Sequence, residues 1–283
     1  MVVSFLEGPA ARIVSGCPFS DSKKVYWIHI EMGDRKKFRV GFRSFRQAVE
    51  TYTNASKLVF VANSVKTCFE KTAGREFSNG IVLYNTNETE QIVEKSKEPV
   101  EDVFFSPDTI NVCSVAKIMH SKGFDRLARA HFRLMQEGLK HHIYILGIGP
   151  EKEKIEAYLR ENHLEDSFSF LGYRSNPYKY VAACDLYVCS SRREGFSTAV
   201  TESLIVGTPV VSTDCSGARE LLGEKNDYGI VVENSAEGIY HGMRKMLLDD
   251  GLRHQYAGKA LERGREFSRE ATARAVEGML DDL

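Results

Sequence analysis

The feature that most constrains the fold is a regular alternation of strand-like and helix-like segments between about residues 108 and 250. Short apolar runs rich in β-branched residues, such as 110–116 and 143–146, alternate with stretches of helical periodicity, such as 124–137 and 198–206. Strands that alternate with helices of this length form βαβ units and build a parallel, doubly wound sheet. The pattern therefore predicts an α/β domain in this region.

The flanking segments complete the predicted domain plan. Further strand-like and helix-like runs lie before residue 105, at 2–6, 25–29, 39–52, 58–61, 64–72 and 81–84. The sequence therefore predicts a smaller α/β domain over 1–105, the main domain over 106–250 and charged amphipathic helices over 251–283. The length of 283 residues agrees with about two domains.

Composition narrows the class of protein. Lys plus Arg total 38 and Asp plus Glu total 39, so the net charge of −1 excludes a polycation that binds nucleic acid by charge alone. The six cysteines show no C-x-x-C spacing, which favours free thiols in a reducing compartment. The N-terminus lacks the basic part of a signal peptide, and no apolar run approaches the roughly 18 residues that span a bilayer. We therefore expect a soluble, cytoplasmic protein.

A pair of acidic residues forms the most specific motif, Glu-x(7)-Glu at Glu194 and Glu202. Gly195 opens a turn from a strand into a helix, and such a turn gathers backbone N–H groups and the positive end of the helix dipole, which suits a phosphate. Eight residues of helix rotate by about 80°, so both carboxylates can border one cleft and accept hydrogen bonds from sugar hydroxyls. The alternative is that Glu194 caps the helix and Glu202 is solvated.

Two lysines, Lys117 and Lys122, follow the predicted strand 110–116. Open α/β sheets bind ligands at the carboxyl ends of their strands, where two ammonium groups match the charge of a diphosphate. Surface lysines in a loop are the alternative. The nearby Gly147-Ile-Gly149 lacks the third glycine of a dinucleotide fingerprint and favours a tight turn, and the chain has neither a P-loop motif nor a G-x-S-x-G motif.

Five motifs occur in the order typical of one enzyme family. They are VAKIMHSKGFDRL at 115–127, ILGIGP at 145–150, FLGY at 170–173, CDLYVCSSRREGF at 184–196 and GTPVVSTD at 207–214. In this order they resemble family 4 of the retaining glycosyltransferases, the group 1 family with the GT-B fold, over residues 111 to about 248. The resemblance implies an α/β protein with two Rossmann-like domains that face a cleft.

The resemblance also implies a role for each matching residue. Lys117 and Lys122 would bind phosphate, and the N–H groups of Gly195, Phe196 and Ser197 would bind the sugar and the distal phosphate. Glu194 would bind the hydroxyls of the donor sugar, and Glu202 would bind the ribose. Tyr173 would border the nucleobase, and His29 would lie beside the donor sugar and the acceptor. Glu194, Lys122 and His29 are the candidate catalytic residues. For His29, a purely structural role is the alternative.

The implied reaction moves a sugar from a nucleotide-sugar, expected to be UDP-linked, to a saccharide or lipid-linked acceptor in polysaccharide, capsule or glycolipid assembly, with retention. No cofactor and no metal are expected, because the sequence lacks the Asp-x-Asp motif of many metal-dependent transferases and positive charge can stabilise the diphosphate leaving group. One alternative is a catalytically weak or inactive nucleotide-binding partner of another glycosyltransferase. A second is a nucleotide-sugar epimerase, which the Glu-x(7)-Glu helix does not suit.

Some positions depart from the family pattern. Ala116-Lys117 replaces the usual Gly-Arg, and Ser197 and Ser203 stand where Gly and Ala are frequent, which affects donor affinity and identity rather than the reaction class. Residues 1–8 resemble a strand from the middle of the family's N-terminal domain. We therefore expect an incomplete acceptor-side domain and an intact donor side.

A basic segment lies within the predicted first domain. From Lys23 to Arg46, eight basic residues stand against two acidic ones. The apolar positions that recur there at helical spacing are Phe38, Phe42, Phe45, Val49 and Tyr52. A basic helix with an aromatic stripe over 35–52 can lie on an anionic membrane surface. The alternative is that the stripe packs on the sheet of its own domain and only the basic side chains are solvated.

Overall fold

The computed structural model describes residues 1–19 and 21–283, which divide into two compact units. The first unit comprises Met1–Thr86, Glu194–Phe196 and Glu270–Leu283, and the second comprises Asn87–Arg193 and Ser197–Arg269. The sequence-based domain boundaries at 105 and 250 stay a prediction.

The first unit is built on a parallel sheet. In chain order its elements are β1 (Val2–Ser4), α1 (Pro9–Ser15), β2 (Lys24–Ile28), α2 (Arg35–Phe38), α3 (Phe45–Thr53), β3 (Lys57–Phe60), α4 (Asn63–Ala73) and β4 (Gly80–Val82). The strand order is β1-β2-β3-β4. The interior strands β2 and β3 carry the completely buried side chains of Val25, Leu58 and Val59, because a parallel sheet is covered on both faces.

The predicted helix over 39–52 is wrong, since the chain forms two shorter helices, α2 and α3, with a turn between them. Gly41 breaks the helix: its φ of +84° is strained for other residues, and a side chain there would meet the backbone of Pro9. Each helix then has its own N-cap, Asp34 for α2 and Ser44 for α3, whose side chains accept backbone N–H groups.

The aromatic stripe of the basic segment packs inside the first unit. Phe38 and Tyr52 are completely buried, and their rings lie 4.5 Å and 5.1 Å from the ring of Phe69 on α4. The basic side chains between residues 35 and 46 are exposed. The expectation that these rings lie on a membrane is therefore wrong, and the structure agrees with the alternative in which they belong to the core.

The second unit contains the longer parallel sheet. In chain order its elements are α5 (Thr89–Ser96), β5 (Ile110–Val115), α6 (Phe124–Gln136), β6 (His141–Leu146), α7 (Lys152–Glu161), β7 (Phe168–Gly172), α8 (Tyr178–Ala182), β8 (Leu186–Cys189), α9 (Thr198–Val206), β9 (Val210–Thr213), α10 (Ala218–Leu222), β10 (Ile230–Val232), α11 (Ala236–Leu248) and α12 (Asp250–Gly264). The strand order is β10-β9-β8-β5-β6-β7, with parallel pairing throughout. The predicted alternation of strands and helices is confirmed, and α5, α10 and α11 are additional to the prediction.

Apolar strands and the inner faces of the helices form the core of the second unit. Val112, Ile143 and Leu186, on neighbouring strands, are completely buried, and Leu127 of α6 and Met243 of α11 belong to the same cluster. Each such side chain stabilises the folded state by about 1.5–3 kcal/mol through removal of apolar surface from water. Helices cover both faces of this sheet, which is why its strands read as continuous apolar runs rather than as an alternation.

The C-terminal helix α13 (Arg269–Asp281) contributes to the core of the first unit. Its Met279 packs in a cluster with Val25 of β2 and Val59 of β3. The opposite face of this helix is exposed, as expected for an amphipathic surface helix. Among the residues that the structure describes, no helix combines the length and the apolar character needed to cross a membrane.

Candidate functional site

The strand order of the second unit reverses at β5. From β5 the chain adds β6 and β7 on one side and then returns to add β8, β9 and β10 on the other. Open α/β sheets bind ligands in the crevice at such a switch point, outside the carboxyl ends of the strands. Two loops flank this point, the β5 loop (residues 116–123) and the β8 loop (residues 190–193), and we expect them to contribute to the site.

The β5 loop carries both predicted phosphate-binding lysines. Lys117 follows the end of β5 by two residues, and Lys122 ends a short 3-10 helix before Gly123, whose φ is +68°. A side chain at Gly123 would collide with the carbonyl oxygen of Ser190 in the β8 loop. The Ser190 hydroxyl in turn donates to the carbonyl of Lys122 at 2.8 Å. The two loops are thus in direct backbone contact, and Lys122 lies at the switch point.

The turn Gly147-Ile-Gly149 supports the β5 loop. A side chain at Gly147 would collide with the carbonyl oxygen of Ala116, and one at Gly149 with that of Ile118. The N–H of Ile118 donates to the carbonyl of Ile148 at 2.9 Å. Close backbone approach therefore explains both glycines, in agreement with the tight-turn interpretation.

Helix α9 places Glu202 next to Tyr178 in the second unit. Glu202 lies on the second turn of α9 and is half-buried. Burial raises the pKa of its carboxyl to about 7, and burial together with the charge of Glu202 raises the pKa of Tyr178. The alternative of a solvated Glu202 disagrees with this burial. A carboxylate so placed gains from hydroxyl groups that donate hydrogen bonds to it.

The N-terminus of α9 corrects the geometry expected for Glu194. Ser197 is the N-cap residue, and its side chain makes no capping hydrogen bond in the described structure. Glu194 precedes the first helical residue, Thr198, by four positions and is therefore not the N-cap residue of α9. The expected rotation of about 80° between Glu194 and Glu202 does not apply, because only Glu202 lies within the helix. The positive end of the α9 dipole still favours a bound anion.

The turn Glu194–Phe196 belongs to the first unit, where it packs against His29. A side chain at Gly195 would collide with the carbonyl oxygen of His29, which explains the glycine at this position. The ring of Phe196 stacks on that of Tyr84, with centroids 5.1 Å apart. The first unit thus brings together four of the predicted site residues, which are His29, Glu194, Gly195 and Phe196.

His29 follows β2 directly and is held through its backbone. Its N–H donates to the carboxylate of Glu7 at 2.9 Å, and its ring lies 4.9 Å from that of Phe5. The ring atom Nε2 is buried and has no hydrogen-bond partner among the described residues. An unsatisfied buried polar atom costs about 1–3 kcal/mol, which a ligand hydroxyl or phosphate oxygen would offset. This geometry favours a binding role for His29 over a purely structural one.

Sequence reasoning missed Glu7 as a candidate site residue. Glu7 follows β1 and therefore lies at the carboxyl end of the strand adjacent to β2. The sequence feature that could have identified Glu7 is the position of an acidic residue between the apolar run 2–6 and the turn at Gly8 and Pro9. Because adjacent parallel strands end at the same edge, such a residue is a candidate for contact with whatever follows β2.

The second unit holds the other predicted site residues, which are Lys117, Lys122, Tyr173, Ser197 and Glu202. Tyr173 follows β7 and its side chain is 72% exposed. The carbonyl of Gly172 accepts the N–H of Gly147 at 2.8 Å, which ties the carboxyl end of β7 to that of β6. Tyr173 therefore lies at the same sheet edge as the lysines, two strands away from β5.

Cysteines and metal ligands form no further site in the described part of the chain. All six cysteines are free thiols, and Cys113, Cys184 and Cys189 are buried, where they pack as small apolar residues. Over residues 1–19 and 21–283, no group of three or more His, Cys, Asp or Glu side chains is arranged to hold a metal ion.

Comparison with known sequences identifies relatives. The family described as glycosyl transferases group 1 matches residues 95–263, more than half of the chain. The N-acetylgalactosamine-N,N'-diacetylbacillosaminyl-diphospho-undecaprenol 4-alpha-N-acetylgalactosaminyltransferase of Campylobacter jejuni is 37% identical over 197 residues, which cover 68% of this chain and 51% of that protein. The lipopolysaccharide core biosynthesis glycosyltransferase LpsE of Rhizobium meliloti is 31% identical over 166 residues, 56% of this chain and 46% of LpsE. The chain thus spans about half the length of these relatives.

Comparison with solved structures confirms the fold. Anabaena HepE in complex with UDP matches with a TM-score of 0.83 at 18% sequence identity, over 99% of this chain and 79% of the HepE chain. The likeness agrees with the predicted α/β fold of GT-B type, with its parallel sheets. The family match extends over most of the second unit, including the switch-point loops and α9. The chain therefore belongs to the group 1 glycosyl transferases.

Proposed function

We propose that this chain is a glycosyltransferase that takes a sugar from a UDP-sugar and transfers it, with retention, to a saccharide or lipid-linked acceptor in polysaccharide or glycolipid assembly. The observation that carries the proposal is the position of Lys117 and Lys122 at the switch point of the second unit. Two ammonium groups at the carboxyl ends of parallel strands suit a diphosphate in both charge and location.

The names of the relatives support the donor and acceptor classes. The Campylobacter jejuni protein is named as an N-acetylgalactosaminyltransferase for a diphospho-undecaprenol-linked substrate, and LpsE is named for lipopolysaccharide core biosynthesis. HepE was solved with UDP. We carry these classes to the present chain, with UDP as the nucleotide of the donor and a lipid-linked saccharide as the acceptor.

Each predicted site residue has a proposed task. Lys117 and Lys122 bind the diphosphate, and the N–H groups of Gly195, Phe196 and Ser197 bind the sugar and distal phosphate. Glu194 binds the sugar hydroxyls, and Glu202 binds the ribose. Tyr173 binds the nucleobase, and His29 binds the donor sugar beside the acceptor. The orphaned Nε2 of His29 and the half-buried carboxyl of Glu202 support these tasks, because a sugar hydroxyl can form a hydrogen bond with each of these groups.

The proposed chemistry depends on charge. The bond between the anomeric carbon and the diphosphate breaks, the acceptor oxygen attacks from the same face, and its proton passes to the departing phosphate oxygen. Negative charge develops on the diphosphate as the bond breaks, and Lys117, Lys122 and the N-terminus of α9 stabilise it there. The proposal assigns no metal ion and no cofactor.

Release of UDP from a panel of UDP-sugars tests the proposal. We expect the wild-type chain to release UDP when a lipid-linked or saccharide acceptor is present, and Glu194→Ala to lower kcat/KM by roughly 100-fold, since the lost contacts strengthen in the transition state. Glu165→Ala is the matched control, because Glu165 is an exposed acid at the amino end of β7, whereas the switch-point loops follow the carboxyl ends of β5 and β8. Equal rates for wild type and Glu194→Ala would contradict the role of Glu194.

A nucleotide-binding partner of another transferase is the second candidate. In that case the chain would bind the nucleotide without catalysing any transfer. The same assay separates the two functions. Binding of UDP by calorimetry without release of UDP from any donor would support the partner, whereas turnover would exclude it.

We also propose that the six exposed cations between residues 35 and 46 contact anionic lipid at the cytoplasmic face of the membrane. They are Arg35, Lys36, Lys37, Arg39, Arg43 and Arg46. Because the rings of Phe38 and Phe42 are buried, the contact is mainly electrostatic and weakens as salt increases. Sedimentation with acidic liposomes at low salt tests this, and absence of binding there would exclude it.

A further inference from the structure

One residue of the β8 loop, Arg192, binds the β5 loop through both its side chain and its backbone. The guanidinium donates to both carboxylate oxygens of Asp125, each at 2.7 Å, and to the carbonyl of His120 at 2.7 Å. The backbone N–H of Arg192 donates to the carbonyl of Ser121, also at 2.7 Å. Arg192 therefore holds the two residues that directly precede Lys122 in the chain.

A second arginine supports the β8 loop from the first turn of α6. Arg126 is almost completely buried and donates to the carbonyl of Ser190 at 2.6 Å. It also donates to the side chain and carbonyl of Asn234 at 2.8 Å and 2.9 Å. The amide of Asn234 donates to the carbonyl of Arg192 at 3.1 Å, so the contacts form a continuous network. This network leaves the β8 loop little freedom to move away from the β5 loop.

The pair of Arg192 and Asp125 differs from an ordinary surface ion pair. Both side chains are only 26% exposed, and the planar guanidinium meets the carboxylate in a bidentate arrangement that a lysine cannot reproduce. Burial would raise the pKa of Asp125, but the hydrogen bonds and charge of Arg192 hold it below its ordinary value. By contrast, Arg219 and Asp214, a pair in the same unit, are 46% and 40% exposed.

We propose that Arg192 and Asp125 form a clamp that fixes the β5 loop against the β8 loop and thereby positions Lys122 for the diphosphate of the donor. Arg192 is a positioning residue, since it acts through Lys122 and the chain that leads to Glu194. This inference rests on the proposed function and deepens it at the same site. A displacement of about 1 Å in a binding group is enough to lower activity by roughly 100-fold, so the clamp has a measurable effect.

The test compares the same substitution in two ion pairs of the chain. Arg192→Lys keeps the charge and removes the bidentate contact, and Arg219→Lys is the matched control. We expect Arg192→Lys to raise the Kd for UDP by roughly 10- to 100-fold and Arg219→Lys to change it less than about 2-fold. Asp125→Asn should reproduce the loss, and the double variant should lose no more than either single one, because the two residues act as one unit.

Hydrogen exchange of the ligand-free chain provides a readout that does not depend on UDP. In Arg192→Lys, exchange should increase together in peptides that cover 116–124 and 190–193 and stay unchanged in β7. Exchange that rises only around residue 192, or a Kd for UDP equal to that of Arg219→Lys, would overturn the clamp. If the wild-type chain does not bind UDP, the proposed function fails, and hydrogen exchange alone then tests the clamp. Faster exchange in both loops of Arg192→Lys would support the clamp, and faster exchange in only one loop would overturn it.

Discussion

The two basic regions of the chain are built differently. The segment 35–46 carries six cations and no acid, all exposed, whereas the β5 loop contributes only Lys117 and Lys122. The β5 loop lies at a topological switch point and is fixed by backbone contacts to Ser190 and Gly147. The segment 35–46 contains the turn at Gly41, and its Phe38 and Phe42 rings are buried in the core. The proposed anion site is therefore inferred from strand order and backbone fit and not from charge density.

The stability of the second unit should depend on acidic pH, because this unit contains a buried pair of histidines. This dependence gives a further comparison with the first unit. Nδ1–H of His141 donates to the carbonyl of Leu139, which makes its Nε2 the acceptor for Nδ1–H of His131 at 2.8 Å. Burial lowers the pKa of His131 to about 2 and that of His141 to about 4. Both histidines stay neutral in the folded chain, but in the unfolded chain they become protonated below the ordinary histidine pKa of about 6.5. Because the unfolded chain then binds more protons, the free energy of unfolding falls as pH decreases below about 6.5.

The expected loss is about 2 kcal/mol for each histidine at about pH 5 relative to neutral pH. Urea unfolding of the wild type and of the double variant His131→Gln, His141→Gln measures it, since the variant should depend less on pH. His241→Gln, at an exposed histidine on α11, is the control and should behave as wild type. An unchanged pH dependence in the double variant would contradict this prediction.

Gly123→Ala tests whether the backbone contact makes the β5 loop a site. The positive φ and the collision with the Ser190 carbonyl should together destabilise the chain by about 3 kcal/mol and weaken UDP binding. Gly138→Ala is the control, because Gly138 has a φ of +77° and open space for a side chain. Gly138→Ala should destabilise the chain by only about 1 kcal/mol, because the positive φ is the only source of strain there. It should leave UDP affinity unchanged. Equal effects at both positions in urea unfolding would show that the loop contact is unimportant.

Removal of charge from the two basic regions compares them directly. The double variant Lys117→Ala, Lys122→Ala should lower UDP affinity by roughly 100-fold, because charged hydrogen bonds to the diphosphate are lost. The triple variant Arg35→Ala, Lys36→Ala, Lys37→Ala removes more charge and should change affinity less than about 2-fold. Isothermal calorimetry measures both, and a larger effect of the triple variant would reverse the comparison.

The smallest expected effect is a pH dependence of donor binding through Glu202. With a pKa of about 7, the carboxyl loses its proton across neutral pH, and the carboxylate accepts ribose hydroxyls better than the acid does. Affinity for the UDP-sugar donor should therefore increase by up to about 10-fold from about pH 6 to about pH 8. Glu202→Gln should remove this increase. A variant that keeps the full increase would show that another group is responsible.

Periodicity predicted the second unit well because its elements are regular and buried. Strand β5 and helix α9 lie within one residue of the predicted 110–116 and 198–206, since continuous apolar runs and amphipathic spacing are local properties. The lysines could be located as well, because the carboxyl ends of parallel strands form one edge. Arg192 could not, since its partner Asp125 lies 67 positions away. For Glu7 the sequence offered only an acidic residue after a strand, and its partner His29 lies 22 positions away.

The sequence alone determined the alternation of strands and helices, the absence of a polycationic character and the motifs typical of the family. Only the tertiary structure decided that the aromatic stripe covers the first sheet, that the helix over 39–52 breaks at Gly41, and that Gly195 is a glycine because it meets His29. The physical reason is that periodicity records which face of an element is apolar but not what covers that face. Close backbone approach and bidentate ion pairs join residues far apart in the chain, and they exist only once the strands have been ordered into a sheet.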